Sequence, residues 1–443
     1  MKWAIKPFSE VVDILDSRRI PVNSTERAKR FGEVPYYGAT GQVSVIDEFI
    51  FDEELVLLGE DGAPFLDSGK PKAYLIRGKS WVNNHAHVLR GKPGLLNGFL
   101  LYQLNNLDYR PYVSGTTRLK LPQGPMKQIP LLVPPPEEQQ RIVAEIEKQF
   151  TRLEAGVSAL RRVQANLKRY RASVLKAACE GKLVPTEAEL AIKENRKADF
   201  ETGEALLARI LTERRKNWQG RGKYKEPAAP DTAKLPTLPE GWVWARLEQL
   251  GVIYGGLTKN PKRAKLLKQL PYLRVANVYA NELRLDDIEY IGVADSELDK
   301  LLIRAGDLLI VEGNGSKDQI GRLAIWDGSI ESCVHQNHLI KVRPIEPQMP
   351  KWILYWLQSP GGRQFVELVA SSTSGLFTLS VNKVGNLFIP LPPLAEQTRI
   401  VAEVERRLSV VEELESVVTA NLKRAARLRQ SILQKAFTGE LIK

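Results

Sequence analysis

The 443-residue chain contains a long segment twice. PPPEEQQRIVAEIE at 134–147 returns as PPLAEQTRIVAEVE at 392–405, 258 positions later, and the match continues without a gap through SVLKAACEGKLV at 173–184 and SILQKAFTGELI at 431–442. Two copies in constant register require two similar structural units, related by a pseudo-two-fold axis or by a translation. Each copy reads as one long helix. Prolines set its start, Glu137, Glu138 or Glu396 in the first turn suits the positive end of the helix dipole, and Gly181 or Gly439 supplies a left-handed stop.

Between start and stop lies a heptad pattern. Val143, Ile146, Phe150, Leu153, Val157, Leu160, Leu167 and Val174 fall on one seam of the first copy, with Val401, Val404, Leu408, Val411, Val418, Leu422, Ala425 and Ile432 on that of the second. About 42 residues at 1.5 Å each make a rod of roughly 63 Å. Two such rods in one chain most simply pair as an intramolecular coiled coil, and an antiparallel pairing would carry the preceding globular units to opposite ends. Arg171 and its repeat mate Arg429 fall at core positions of the seam, near Gln164 and Glu415. Two readings stand: the arginines reach out of a frayed seam, or they form a polar register device or a docking point for partner subunits.

The segments upstream repeat as well, at looser offsets. Pro35-Tyr36-Tyr37-Gly38 opens the first and Pro271-Tyr272-Leu273-Arg274 the second. An apolar strand then runs into a glycine loop, LVLLGEDGA at 55–63 or LLIVEGNGS at 308–316, followed by an Asn-His pair, Asn84-His85 or Asn337-His338. A short amphipathic helix, FLLYQL or WILYWL, precedes a Ser-Gly turn, YVSGTTRLKLP at 112–122 or STSGLFTLSVN at 372–382. Strands and helices interleave, so each unit is expected to be a mixed α/β domain. The expected order is domain 1–133, long helix 134–184, linker 185–238, domain 239–389 and long helix 390–443. The linker is helical in its first part, with Leu207, Ile210 and Leu211 on one face, and proline-rich in EPAAPDTAKLPTLPEG. Trp242 and Trp244 are expected to anchor a core strand.

Charge narrows the partner. Lys and Arg number 64 against 52 Asp and Glu, a formal surplus of +12 that favours a polyanion. No apolar run approaches the ~18–20 residues that span a bilayer, and the start lacks the apolar stretch of a signal peptide. With two cysteines, Cys179 and Cys333, free thiols in a reducing compartment are expected, so the chain reads as cytoplasmic with no membrane partner.

The proline–Glu–Gln start of a long helix, PLPPLAEQTRIVAEVE, its end QKAFTGEL, and the Ser-Gly-Thr turn before the first copy resemble the conserved regions of type I restriction–modification specificity subunits. That resemblance covers essentially the whole chain. It implies two target-recognition domains, each reading one half of a split, asymmetric site in double-stranded DNA, with the coiled coil spacing the halves over a few unread base pairs. It also implies two modification (methyltransferase) subunits that carry S-adenosylmethionine, and restriction subunits that use ATP and Mg; this chain itself would hold no cofactor. The second Ser-Gly turn departs from the first in lacking the counterpart of Thr116, Thr117 and Arg118.

Catalytic motifs are missing. There is no Asn-Pro-Pro-aromatic motif to grip a flipped adenine and no GxxxxGK[ST] loop, and Gly313-Asn314-Gly315-Ser316 reads as a tight turn. Cys333, His335 and His338 are spaced like metal ligands but lack a second nearby cysteine, so a structural strand is the better reading and no metal is expected. The expectation is a non-catalytic subunit of a restriction endonuclease and adenine methyltransferase complex.

For DNA contact the best local signal is Gly255-Gly256-Leu257-Thr258-Lys259-Asn260-Pro261-Lys262-Arg263, with Lys265 and Lys268 following and no acid among them. Glycines beside five cations suit phosphate gripping, against the plainer reading of a solvated basic loop. Arg18 and Arg19, with Arg27, Lys29 and Arg30, are the rough counterpart in the first domain, and Thr116, Thr117 and Arg118 a second candidate there. A stand-alone DNA-binding regulator or architectural protein would keep the charge and both domains but would not need paired rods. A coiled-coil scaffold without nucleic acid would not need the basic loops.

Overall fold

The computed structural model describes residues 3–442 apart from 68, 197–199, 219–221, 318 and 374, so Ser374 of the second Ser-Gly turn and part of the linker lie outside the described residues. The chain forms two compact units. One comprises Met1–Gln164 with Glu415–Lys443, the other Ala165–Leu414. Each unit therefore holds one α/β domain and a stretch of both long helices.

The same strand order is built twice. In the first unit the sheet runs Val12–Ile14, Ala86–Gly91, Leu55–Gly59, Ala73–Ile76, all antiparallel. In the second it runs Gly251–Tyr254, Leu339–Pro344, Leu308–Val311, Leu323–Ile325, again antiparallel. The central strands LVLLG and LLIV are buried throughout, as continuous apolar runs covered on both faces must be. A further sheet in each unit holds a parallel pair, Val34–Gly38 with Lys79–Val82 and Gln269–Leu273 with Val334–His335. The tyrosine that the two units share there, Tyr36 or Tyr272, is fully buried and donates its hydroxyl to a carbonyl, of Val22 at 3.3 Å or Leu257 at 2.9 Å. A two-stranded antiparallel pair leads into each long helix, Ala4–Pro7 with Pro130–Val133 and Val243–Arg246 with Phe388–Leu391.

The long helices are Pro136–Cys179 and Leu394–Phe437, 44 residues each. Gly181 and Gly439 take φ of +67° and +79°, and the residue after each returns its N–H to a carbonyl five residues back, Lys182 to Ala177 at 2.8 Å and Glu440 to Lys435 at 2.9 Å. These are the left-handed stops that the glycines predict. Within the first unit Ile142, Ile146 and Phe150 share a core with Ile432, Leu433 and Ala436. Within the second, Val174, Leu175 and Ala178 share one with Ile400, Val404 and Leu408. The start of one helix meets the end of the other in both units, so the pairing is antiparallel in each. At the starts the buried seam falls on Ile142 and Ile400, one residue before the expected Val143 and Val401, because there the helix packs on its own domain as well as on the other helix.

Arg171 and Arg429 reach across the pairing. Arg171 lies 3.6 Å from Glu412 and Arg429 3.1 Å from Glu154, and Glu154 and Glu412 are themselves repeat mates. Arg429 also covers the Phe150 ring at 4.1 Å. The two cross-helix contacts are equivalent under the repeat. Glu412→Arg should destabilise the second unit by about 0.5–1 kcal/mol, the range of half-exposed ion pairs, and adding Arg171→Glu should restore it in thermal denaturation. Equal loss in single and double variants would show that the pair sets no register.

The linker forms two helices, Glu187–Lys193 and Gly203–Lys216. The second buries Leu206 and Ile210, with Leu207 only partly covered. Gly203 begins it against the terminal strand pair: a Cβ there would come within 2.1 Å of the Leu391 carbonyl oxygen. Trp242 and Trp244 are core residues, stacked edge-on against Trp352 and Trp356. Cys179 and Cys333 are free, and burial pushes both thiols up to about 12. Among the described residues no helix is long and apolar enough to cross a membrane.

Candidate nucleic-acid interface

Three of the repeated motifs meet at one place in each unit. The glycine-loop residue Glu60 donates its N–H to the His85 carbonyl at 2.8 Å and accepts the Leu121 N–H at 2.7 Å. Glu312 does the same with His338 at 2.9 Å and Leu379 at 2.7 Å. The glycine loop is thus clamped between the Asn-His strand and the segment after the Ser-Gly turn. Gly62 occupies φ +69° in that loop, beside the Arg118 guanidinium.

In the first unit the junction gathers basic side chains around two consecutive carboxylates. Glu60 holds Arg19 at 2.8 Å and Lys120 at 3.3 Å. Asp61 holds His85 at 2.8 Å and Arg118 at 2.7 Å. The side chains of Arg118 and Lys120 are more than half exposed, those of Glu60 and Asp61 mostly covered. The carboxylates thus keep two long basic side chains oriented at the surface, where a phosphate can compete for them. Thr116 and Thr117 are exposed on the same turn.

Arg19 lies deeper. It also contacts Asp16 at 3.4 Å and donates to the Ala86 carbonyl at 2.7 Å. Asp16 accepts from His87 Nδ1 at 2.6 Å, from the Val88 N–H at 2.8 Å and from Gln123 at 2.6 Å. Burial works to raise the Asp16 carboxyl, but the hydrogen bond and charge of His87 with these other donors outweigh it and hold the group below its usual range. Asp16, Glu60 and His87 form a metal-like cluster. The Arg19 guanidinium already sits among its oxygens, and His87 Nε2 is bonded to the Leu121 carbonyl at 2.8 Å, so this donor set serves the packing beneath the glycine loop. Arg18 stands apart, bonded to the Ile50 carbonyl at 3.1 Å and lying over the Phe51 ring at 4.7 Å. Arg30 pairs with Asp47 and Glu48 and covers Trp81.

The basic loop of the second unit divides in two. Lys259 pairs with Glu289 at 2.7 Å, and Arg263 makes a two-pronged contact with Glu297, at 2.9 and 3.0 Å, plus one to the Gly292 carbonyl. With only 17% of its side chain exposed, Arg263 fastens the loop to the strand Glu289–Gly292. Lys262 and Lys265 are exposed and make no ion pair among the described residues. The Asn260 side chain accepts the N–H groups of Lys262 and Arg263, fixing the turn that presents them. The loop is tied to the Asn-His strand by Leu257 N–H to the His335 carbonyl at 2.8 Å and Asn337 N–H to the Leu257 carbonyl at 2.9 Å.

Sequence reasoning passed over His85 and Lys120 in the first unit and Arg274 in the second. Arg274 shares Glu289 with Lys259 and also binds Asp287 at 2.6 Å. The Asn-His and Pro-Tyr motifs that carry His85 and Arg274 were visible as repeats, but their ion pairs join residues far apart in the chain. The second Ser-Gly turn carries no arginine, and Leu376 after Gly375 is 47% exposed, so the two junctions present different surfaces on one scaffold. Cys333, His335 and His338 point to separate partners: His335 to the Leu339 carbonyl at 2.9 Å, His338 to Glu312 at 3.0 Å.

The family model described as the type I restriction modification DNA specificity domain matches residues 1–159. A putative type I restriction enzyme specificity subunit of Haemophilus influenzae is 38% identical over 146 residues, 32% of this chain and 36% of that protein's length. The EcoKI specificity subunit of Escherichia coli is 26% identical over 80% of this chain and 68% of its own length. The EcoDI specificity subunit, also from Escherichia coli, is 23% identical over 99% and 88%. A chain from a solved structure of type I R-M system assembly aligns over 99% of this chain and 98% of its own, at 18% identity and a TM-score of 0.60, showing the same fold.

Proposed function

We propose, for a chain that belongs to the type I restriction–modification specificity subunits, that it reads a bipartite, asymmetric site in double-stranded DNA and scaffolds the catalytic subunits around it. The observation that carries this reading is the doubled junction. Each unit brings the glycine loop, the Asn-His strand and the segment after the Ser-Gly turn together in the same hydrogen-bonded pattern, then surrounds it with different exposed side chains. One scaffold with two surfaces suits two readers of unlike half-sites. Exposed cations such as Arg118, Lys120, Lys262 and Lys265 would grip phosphates, while neighbouring polar side chains reach base edges.

The chain supplies recognition and no chemistry of its own. Methyl transfer would come from two modification subunits carrying S-adenosylmethionine, and ATP- and Mg-dependent cleavage from restriction subunits, in the cytoplasm. The paired helices, with their outward charged faces, offer those subunits a platform.

Neutralising Lys259, Lys262 and Lys265 together tests the DNA contact. Binding by the chain assembled with its modification subunits should weaken, and the slope of log K against log salt should flatten by about 0.9 for each phosphate that is no longer neutralised. Arg263 is left intact because it fastens the loop. An unchanged slope would assign the loop to solvation alone.

A further inference from the structure

The two units differ in what covers the beginning of their long helix. In the second unit the Glu396 carboxylate is fully buried and accepts the Trp242 indole N–H and the Glu187 backbone N–H, each at 2.9 Å. Glu187 belongs to the linker helix Glu187–Lys193, whose cap Thr186 exchanges hydrogen bonds with Glu189. The Glu187 carboxylate pairs with Arg399, and Ala188 and Ala191 are buried beside it. The following helix lays Leu206 and Ile210 into the same core that holds the strand Val243–Arg246.

In the first unit every receiving group is present. Glu138, Arg141 and Ile142 are the repeat mates of Glu396, Arg399 and Ile400, and Trp3 precedes the strand Ala4–Pro7 as Trp242 precedes Val243–Arg246. The strand registers agree, Ala4 opposite Val133 and Val243 opposite Leu391. No linker covers them among the described residues. Trp3, Leu132, Glu138 and Ile142 instead line a groove of about 280 Å³ that also reaches Phe437 and Ile442. The Trp3 indole nitrogen is buried without a hydrogen-bond partner among the described residues. Arg141 is exposed, all four residues of Ala4–Pro7 are exposed, and Ile5 is 67% exposed where its counterpart Trp244 is 7%.

We propose that this groove docks the first turn of a helix from a partner protein, one that opens with a hydroxyl cap, an acidic residue and small apolar residues. Charge complementarity sets that choice. Glu138 offers an acceptor to a backbone N–H of a helix start, Arg141 a cation to a carboxylate one position in, and Ile5 with Ile142 an apolar surface to an aliphatic stripe. The helices Glu187–Lys193, behind its cap Thr186, and Gly203–Lys216 have that pattern and fill the equivalent place in the second unit.

The probe is therefore a labelled peptide of residues 185–217, added to the full chain. Saturable binding is expected, weakened about tenfold by Arg141→Glu and restored when the peptide carries Glu187→Arg. Arg141 is a surface side chain, so its reversal leaves the fold intact. Repeating residues 185–217 after Lys443 through a Gly-Ser linker raises the effective concentration to about millimolar, and should protect the Trp3 indole N–H from hydrogen exchange. No binding at millimolar peptide with no added protection, or binding indifferent to Arg141→Glu, overturns the proposal. Self-association of the unmodified chain that Arg141→Glu abolishes also overturns it, by giving the groove to a second copy. DNA recognition would be untouched by any of these failures.

Discussion

Replacing Glu396 with alanine should destabilise the second unit by about 3 kcal/mol, because two buried donors lose their acceptor at once. The Trp242 indole and the Glu187 backbone N–H both end on this carboxylate, and the linker helix is fastened through it to the long helix. For a unit of this size that is a fall of roughly 6–12 °C in Tm, readable in tryptophan fluorescence. The same change at the repeat mate, Glu138→Ala, should stay within about 0.5 kcal/mol, since among the described residues Glu138 receives no such pair of donors. The contrast also has a pH signature. Burial pushes the Glu396 carboxyl above the usual range, against the opposing pull of the Glu187 N–H, the indole and Arg399. A carboxyl raised in the folded state binds its proton more tightly there than in the unfolded chain. Its contribution is therefore fully present below the ordinary carboxylate pKa and shrinks as pH rises through the raised value. The gap between the parent and Glu396→Ala should accordingly widen as pH falls from 7 towards 4.5. A gap that narrows, or equal losses at positions 138 and 396, would refute the assigned roles.

Glu138 and Glu396 also show where sequence reading ends. The repeat at 258 positions made both long helices, their glycine stops and the doubled domain legible, because those depend on local pattern and on period. The two glutamates occupy one motif, yet one is buried and one lines an open groove. That difference comes from the linker, whose docking depends on Gly203 lying against the Leu391 carbonyl and on no periodic signal. The candidate interface divides in the same way. Arg118 and Lys262 were found as exposed cations near glycine turns, which composition and turn residues reveal. The fastening of Arg263 by Glu297, and of Arg19 by Asp16 and Glu60, joins residues on separate strands, so a basic residue that presents itself and one that braces the fold look alike in the sequence.

The largest effect is expected from exchanging a whole reader. If each unit reads one half of the site through its own junction, replacing residues 239–389 with the matching domain of a relative should abolish use of one original half-site. Mismatched base pairs cost about 1–3 kcal/mol each, so a replaced half-site lowers affinity for the old sequence on the order of a thousandfold. The strands that lead into the long helix, Val243–Arg246 and Phe388–Leu391, bring the exchange points close together. The Trp242 contact to Glu396 should be kept in the chimaera so that the linker stays docked.

Genome-wide mapping of methylated adenines in cells carrying the assembled chimaera is the most direct measurement. Two readers predict that one half of the methylated sequence changes to that of the donor while the other half is retained base for base. A change in both halves, or in neither with methylation intact, would contradict the account.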